Sequence, residues 1–188
     1  DAVKAWLGGL GGGTDVRWTG FDEYLEILRA ARPSINVVHF VGHGALRLAT
    51  IGPANRPAGA DDLKAMQRLL AAALEAGAFG FSTGLVYPPS AYSSTEELIA
   101  LSRSMAPGRG LYCSHIRGEG AALEDSVAEA IRIGEESGVA VQISHVKAAG
   151  RENWGKLERA LRLIDMARAR GVDVTGDVYP YHAGSTKM

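Results

Sequence analysis

Ser114-His115-Ile116-Arg117 and Ser144-His145-Val146-Lys147 are two copies of one pattern, with their histidines thirty residues apart. Each copy follows a short β-rich apolar run, Gly110 to Ser114 in the first case and Val139 to Ser144 in the second. The stretch between them, Ala121 to Ser137, carries helical periodicity and stops at Gly138. That spacing is the length of one strand-helix-strand unit, so the two histidines are expected at the ends of neighbouring parallel strands. Side chains at the carboxyl ends of parallel strands face the crevice where α/β proteins bind their ligands. Two imidazoles placed there suggest a shared metal.

Outward from this unit the same alternation repeats. Towards the amino terminus, Ala78 to Ser82 reads as a strand, and Ser94 with Glu97 marks a helix start running to about Met105. Before it, Asp61 and Asp62 precede Leu63, Met66, Leu69, Leu70 and Leu74, a helix stopped by Gly77. Ile35 to Val41 reads as a further strand turning at Gly42-His43-Gly44, and Phe21 to Ala31 as a helix closed by Pro33. Towards the carboxyl terminus, Trp154 to Arg170 is a helix stopped by Gly171, followed by a strand from Val172 to Val178. Five strands alternating with helices imply a parallel sheet with right-handed crossovers, in either a (β/α) barrel or a doubly wound sheet. The segment before residue 21 has the run Gly11-Gly12-Gly13 and no strand-turn-helix frame for a phosphate loop. Residues 1–20 are therefore expected to form a flexible glycine-rich segment and residues 21–188 the α/β domain.

Composition narrows the partners. The chain has 188 residues, 20 Lys plus Arg against 21 Asp plus Glu, and a formal net charge of −1, so no overall basic field exists to hold nucleic acid or an anionic membrane. No apolar run approaches the roughly 20 residues needed to span a bilayer. The expected partner is a small molecule. The single Cys113 forms no intramolecular disulfide and suits a reducing compartment, here taken as the cytoplasm. Oligomeric state has no signature in the sequence. The chain starts at Asp1 and ends after a strand with no closing helix, so both ends are read as internal to a longer polypeptide.

The strand exits collect the chemistry: His43, Ser82 with Thr83, His115, His145, and Asp177 with Tyr179. A neutral imidazole binds zinc well, and zinc lowers the pKa of a water to about 7. The repeat favours His115 and His145 as ligands. A lone strand-end histidine such as His43 is more often a hydrogen-bonded core or rim residue, and His39, mid-strand, is read as structural. Cys113 should share a face with His115 because strand side chains alternate; a small buried filler is the favoured role over a third ligand. Arg117 and Lys147 each follow their histidine by two positions, a placement suited to a substrate carboxylate. The competing role for Arg117 is a pair with Glu119. Tyr87, in Leu85-Val86-Tyr87-Pro88-Pro89, sits on a stiff loop that presents its phenol.

An ordered set of motifs carries a resemblance. Gly80-Phe81-Ser82-Thr83-Gly84-Leu85 with Tyr87-Pro88-Pro89, the two histidine motifs continuing to Ala148-Ala149-Gly150, Asn153-Trp154-Gly155-Lys156, and Asp177-Val178-Tyr179-Pro180-Tyr181 with Gly184-Ser185-Thr186 resemble the N-acyl-D-amino-acid deacylases of the amidohydrolase superfamily. The resemblance implies a distorted (β/α) barrel that binds zinc and hydrolyses the amide of an N-acylated D-amino acid. It implies metal ligation by His115 and His145, and a substrate held by Tyr87, Lys147, Tyr179 and Ser185. The family's paired histidines on the first strand, its cysteine after the second and its catalytic aspartate on the eighth have no counterpart here. The five strands would be the third to the seventh, and the segment alone is expected to be inactive. The alternatives are a cyclic amidohydrolase of the hydantoinase or dihydroorotase kind, and a barrel fragment acting as a non-catalytic scaffold.

Overall fold

The structure, a computed structural model, describes residues 18–105 and 110–184. Most of the expected glycine-rich segment, residues 1–17, lies outside the described residues. Five strands form one sheet: β1 (Phe40–Gly42), β2 (Gly80–Gly84), β3 (Leu111–His115), β4 (Ala140–Ile143) and β5 (Val174–Gly176). They are joined through helices α2 (His43–Thr50), α3 (Ala60–Ala76), α4 (Thr95–Arg103), α5 (Leu123–Ser137) and α6 (Trp154–Ala169), and α1 (Phe21–Ala30) precedes β1.

The strand order is β1-β2-β3-β4-β5 and every pairing is parallel. A doubly wound sheet reverses its order part-way across, whereas a barrel adds each strand beside the last. The strictly sequential order therefore decides for a barrel sector.

Register explains the burial. Val41, Phe81, Tyr112, Val141 and Val174 stand side by side in one row across all five strands. All five are buried and join one core with Met66 and Leu70 of α3, Leu98 of α4, Val127 and Ile131 of α5, and Ala160 and Ile164 of α6. The alternate positions, Ser82, Cys113 and Gln142, point to the concave face and are only half-buried. Burying apolar surface at about 25 cal/mol per Å² makes the helix-facing side the main source of cohesion.

Local signals account for the helix ends. The Asp62 carboxylate accepts the Gly59 N–H at 2.8 Å at the start of α3, and Ser94 Oγ accepts the Glu97 N–H at 3.2 Å at the start of α4. Gly77 (φ +118°) and Gly138 (φ +73°) close α3 and α5 in the left-handed region, where a side chain would be strained.

Two elements differ from expectation. The first strand is confined to Phe40–Gly42, with Ile35 73% and Val38 62% exposed, because β2 offers it only three paired positions. After it the chain enters α2 at once instead of a glycine turn. Gly42 has an extended backbone as N-cap, and Leu46 of the new helix is buried in the core.

Candidate metal centre and substrate pocket

His115 is the last residue of β3, and His145 lies just beyond β4. The Ser144 N–H donates to the Ser114 carbonyl at 2.9 Å, which carries the strand pairing one step further and brings the histidines level. His115 Nδ1 lies 2.9 Å from His145 Nε2, with ring centroids 4.6 Å apart. His145 has φ +44°, a left-handed conformation that costs a histidine roughly 1–3 kcal/mol. Asp177, immediately after β5, holds it there: its Oδ1 accepts the His145 N–H at 2.6 Å and its Oδ2 accepts from Gln142 Nε2 at 2.7 Å.

Glu119 completes the cluster. Its Oε1 is 2.9 Å from His145 Nδ1 and 2.5 Å from Lys147 Nζ. Among the described residues, His115, Glu119 and His145 form the group whose donor atoms come close enough to hold a metal ion. Burial first, and then the Lys147 ammonium, press the His115 pKa below its ordinary value, although the Glu119 carboxylate opposes this. A neutral ring is the state that can donate a lone pair to a metal. Two half-buried imidazole nitrogens facing each other at this distance fit zinc.

A cavity of about 810 Å³ opens over the cluster. Tyr87, Lys147, Trp154 and Tyr179 line it together with both histidines and Glu119. The Tyr87 ring centroid is 5.4 Å from that of His115, and Lys147 Nζ is 5.4 Å from the Tyr179 ring centroid. A cation and phenols on one wall, facing two metal-type ligands, can hold a carboxylate at one end of a small molecule while its middle reaches the histidines.

The other expected residues are placed elsewhere. Arg117, expected among the substrate-binding residues, does not line the cavity. Its Nε and Nη2 donate to the Glu129 carboxylate at 3.0 and 2.9 Å, and its Nη1 and Nη2 donate to the carbonyls of Ala91 and Ser93 at 3.2 Å. Ser185 lies outside the described residues. His43 is fully buried, with Nδ1 3.0 Å from Ser90 Oγ and Nε2 2.8 Å from Glu97 Oε1, so it belongs to the core and not to the metal cluster. His39 bonds to the Tyr24 hydroxyl. Cys113, expected as a small buried filler, is half-buried, with Sγ 3.2 Å from Ser144 Oγ.

Glu119 is the residue that sequence reasoning missed, having entered only in the competing role for Arg117, whose acidic partner is Glu129. Its position four residues after His115, in the first loop beyond the strand, was the available signal.

No family model matches the chain. An N-acyl-D-glutamate deacylase from Alcaligenes xylosoxydans xylosoxydans is 49% identical over 164 residues, which are 87% of this chain and 33% of that protein. A D-aminoacylase from the same organism is 41% identical over 176 residues, 94% of this chain and 36% of that protein. The relatives of this chain thus include N-acyl-D-amino-acid deacylases. A crystal structure of the N-acyl-D-glutamate deacylase of Bordetella bronchiseptica, complexed with zinc and a phosphonate mimic of the tetrahedral intermediate, superposes with a TM-score of 0.86 at 44% identity. That match covers 90% of this chain and 36% of the deacylase. The chain thus spans about a third of the length of the deacylases it matches. Over that third it shares their α/β fold, here with five parallel strands.

Proposed function

We propose that this chain forms the metal-binding and substrate-binding sector of a zinc-dependent hydrolase, which cleaves the amide of N-acyl-D-amino acids to a D-amino acid and a carboxylate. The observation that carries this reading is the 2.9 Å approach of His115 Nδ1 to His145 Nε2 beneath a cavity that Lys147 and Tyr179 also line. His115 and His145 would hold the zinc. When bound, zinc supplies electrostatic polarisation of an amide carbonyl and acidifies a water.

The chain's own residues do the positioning. Lys147 and Tyr179, joined in the resemblance by Ser185, fix the substrate carboxylate, and Tyr87 closes the cavity beside His115 with a hydroxyl able to donate to a substrate oxygen. Fixing one end of the substrate converts much of its lost freedom into correct placement of the scissile bond. The general base belongs to polypeptide outside this segment. Among the described residues no helix is long and apolar enough to cross a membrane. The single thiol supports a reducing, cytoplasmic setting.

The test uses the full-length polypeptide containing this segment, purified with zinc and assayed against N-acetyl-D-amino acids and their L-enantiomers. D-selective amide hydrolysis that disappears in His145→Ala supports the reading. Turnover of a hydantoin or dihydroorotate in place of the open-chain amide would assign it to the cyclic amidohydrolases, and a zinc-free, inactive protein would leave only a scaffold.

A further inference from the structure

We propose that Glu119 is the positioning residue of His145: its carboxylate takes the hydrogen bond from Nδ1–H and so leaves the Nε2 lone pair aimed into the metal site. The inference rests on the zinc reading above and concerns a residue that no motif of the chain singles out.

The geometry makes the ring two-sided. Nε2 faces His115 Nδ1 at 2.9 Å, while the ring's other nitrogen, Nδ1, faces Glu119 Oε1 at 2.9 Å. An ion seated between the two histidines would be held through Nε2, while the carboxylate meets the ring at Nδ1. The contact that Glu119 makes here is with the ligand's second nitrogen.

Two groups compete for Nδ1, because Lys147 Nζ also stands 2.9 Å from it. An ammonium has donors and no lone pair, so it could meet Nδ1 only if that nitrogen carried no proton. The proton would then sit on Nε2 and block coordination. Glu119 resolves the conflict by accepting from both, since Lys147 Nζ is 2.5 Å from the same oxygen. One carboxylate thereby ties the ligand's tautomer to the cation that faces the substrate pocket.

Everything else about these groups is held in place. The Glu119 carbonyl accepts the Ala149 N–H at 2.7 Å, which fastens its loop to the one following His145. The Glu119 side chain is only 17% exposed, so water competes weakly for its oxygens. Asp177 pins the His145 backbone, leaving the ring's tautomer and tilt as what remains to be set. Carboxylate partners of metal-bound histidines commonly change metal affinity by about 10–100-fold when removed.

The experiment measures zinc affinity by competition with a chromophoric chelator in the full-length enzyme, comparing wild type, Glu119→Ala, Glu119→Gln, Lys147→Met and His145→Ala, with steady-state kinetics alongside. Glu119→Ala is expected to weaken zinc binding by about 10–100-fold. Glu119→Gln, whose amide oxygen can still accept from Nδ1, should recover most of that loss. Lys147→Met should raise KM while zinc affinity stays within a few-fold of wild type. Wild-type zinc affinity in Glu119→Ala would overturn the inference and leave the zinc reading standing, as would an equal loss in Lys147→Met. Failure of the wild-type enzyme to bind zinc, or unaltered binding in His145→Ala, would instead overturn the zinc reading itself.

Discussion

His115 and His145 meet through Nδ1 of the first and Nε2 of the second, 2.9 Å apart, across two strands that pair in parallel. Two nitrogens bound to one tetrahedral zinc at about 2.0–2.1 Å stand roughly 3.3 Å from each other. A few tenths of an ångström of ring movement would admit the ion, which side-chain rotation can supply without moving the strands. Replacing either histidine with alanine should therefore lower zinc affinity more than the ~10–100-fold typical of an outer partner, with little change in folding. Metal analysis after dialysis, paired with circular dichroism, checks both halves of this prediction.

Lys147 is expected to act on substrate binding more than on chemistry. A charge-assisted hydrogen bond contributes about 1.5–3 kcal/mol, so Lys147→Met should lower kcat/KM roughly 10–100-fold, mostly through KM. An unchanged KM with a collapsed kcat would place Lys147 at the reacting bond and refute the carboxylate role. Steady-state kinetics on the full-length enzyme decides.

The core contains a charged cluster that no catalytic role requires. Arg47 is fully buried and donates to both oxygens of Glu97, at 2.8 and 2.6 Å, and to the Arg56 carbonyl at 2.6 Å. Glu97→Ala strands that guanidinium without its counter-ion and should cost about 3–5 kcal/mol, measured as a shift in urea unfolding. A loss under about 1 kcal/mol would mean that water or a neighbouring group reaches Arg47.

Stability should fall on mild acidification because of the same cluster. Burial lowers the His43 pKa despite the Glu97 hydrogen bond. The folded protein therefore resists a proton that the unfolded chain accepts near pH 6.5, and stability drops as pH falls below that value until the folded ring titrates. Glu97 adds to the effect further down: burial raises its pKa, but hydrogen bonds from His43 and Arg47 outweigh burial and lower it. Its contribution is present above the ordinary carboxylate range and is lost as pH falls through the depressed value. In unfolding curves taken between pH 7 and 5, His43→Gln should flatten the slope relative to wild type.

Gly80 sets how closely β2 and β3 can approach. A Cβ there would lie 2.1 Å from the Leu111 carbonyl oxygen, a backbone atom that cannot swing aside. Gly80→Ala should cost about 2 kcal/mol or more, in the range of an overpacked core, and reduce soluble yield. Normal stability in this variant would show that the strand edge has room to shift.

The sheet was legible because strand exits and helix stops follow short-range chemistry. Gly77 and Gly138 end helices where the sequence puts them, and the repeated histidine motif places two imidazoles at the ends of adjacent strands. What failed depended on partners far along the chain. Ile35 to Val38 carry strand-type side chains, yet no neighbour among the described residues pairs with them, and β propensity says nothing about whether a partner exists. Arg117 shares the parity of His115, but β3 ends at His115, so alternation no longer governs where the guanidinium points. Glu119 finds Lys147 28 residues away, a separation that no local pattern encodes.

Sequential pairing also governs how this sector can be assembled during synthesis. Each of β2 to β5 docks against the strand translated before it, so among the described strands no pairing waits for a distant length of polypeptide still inside the ribosome. The half-site of His115 is in place as soon as β3 joins β2, and His145 arrives one helix later onto a template already formed.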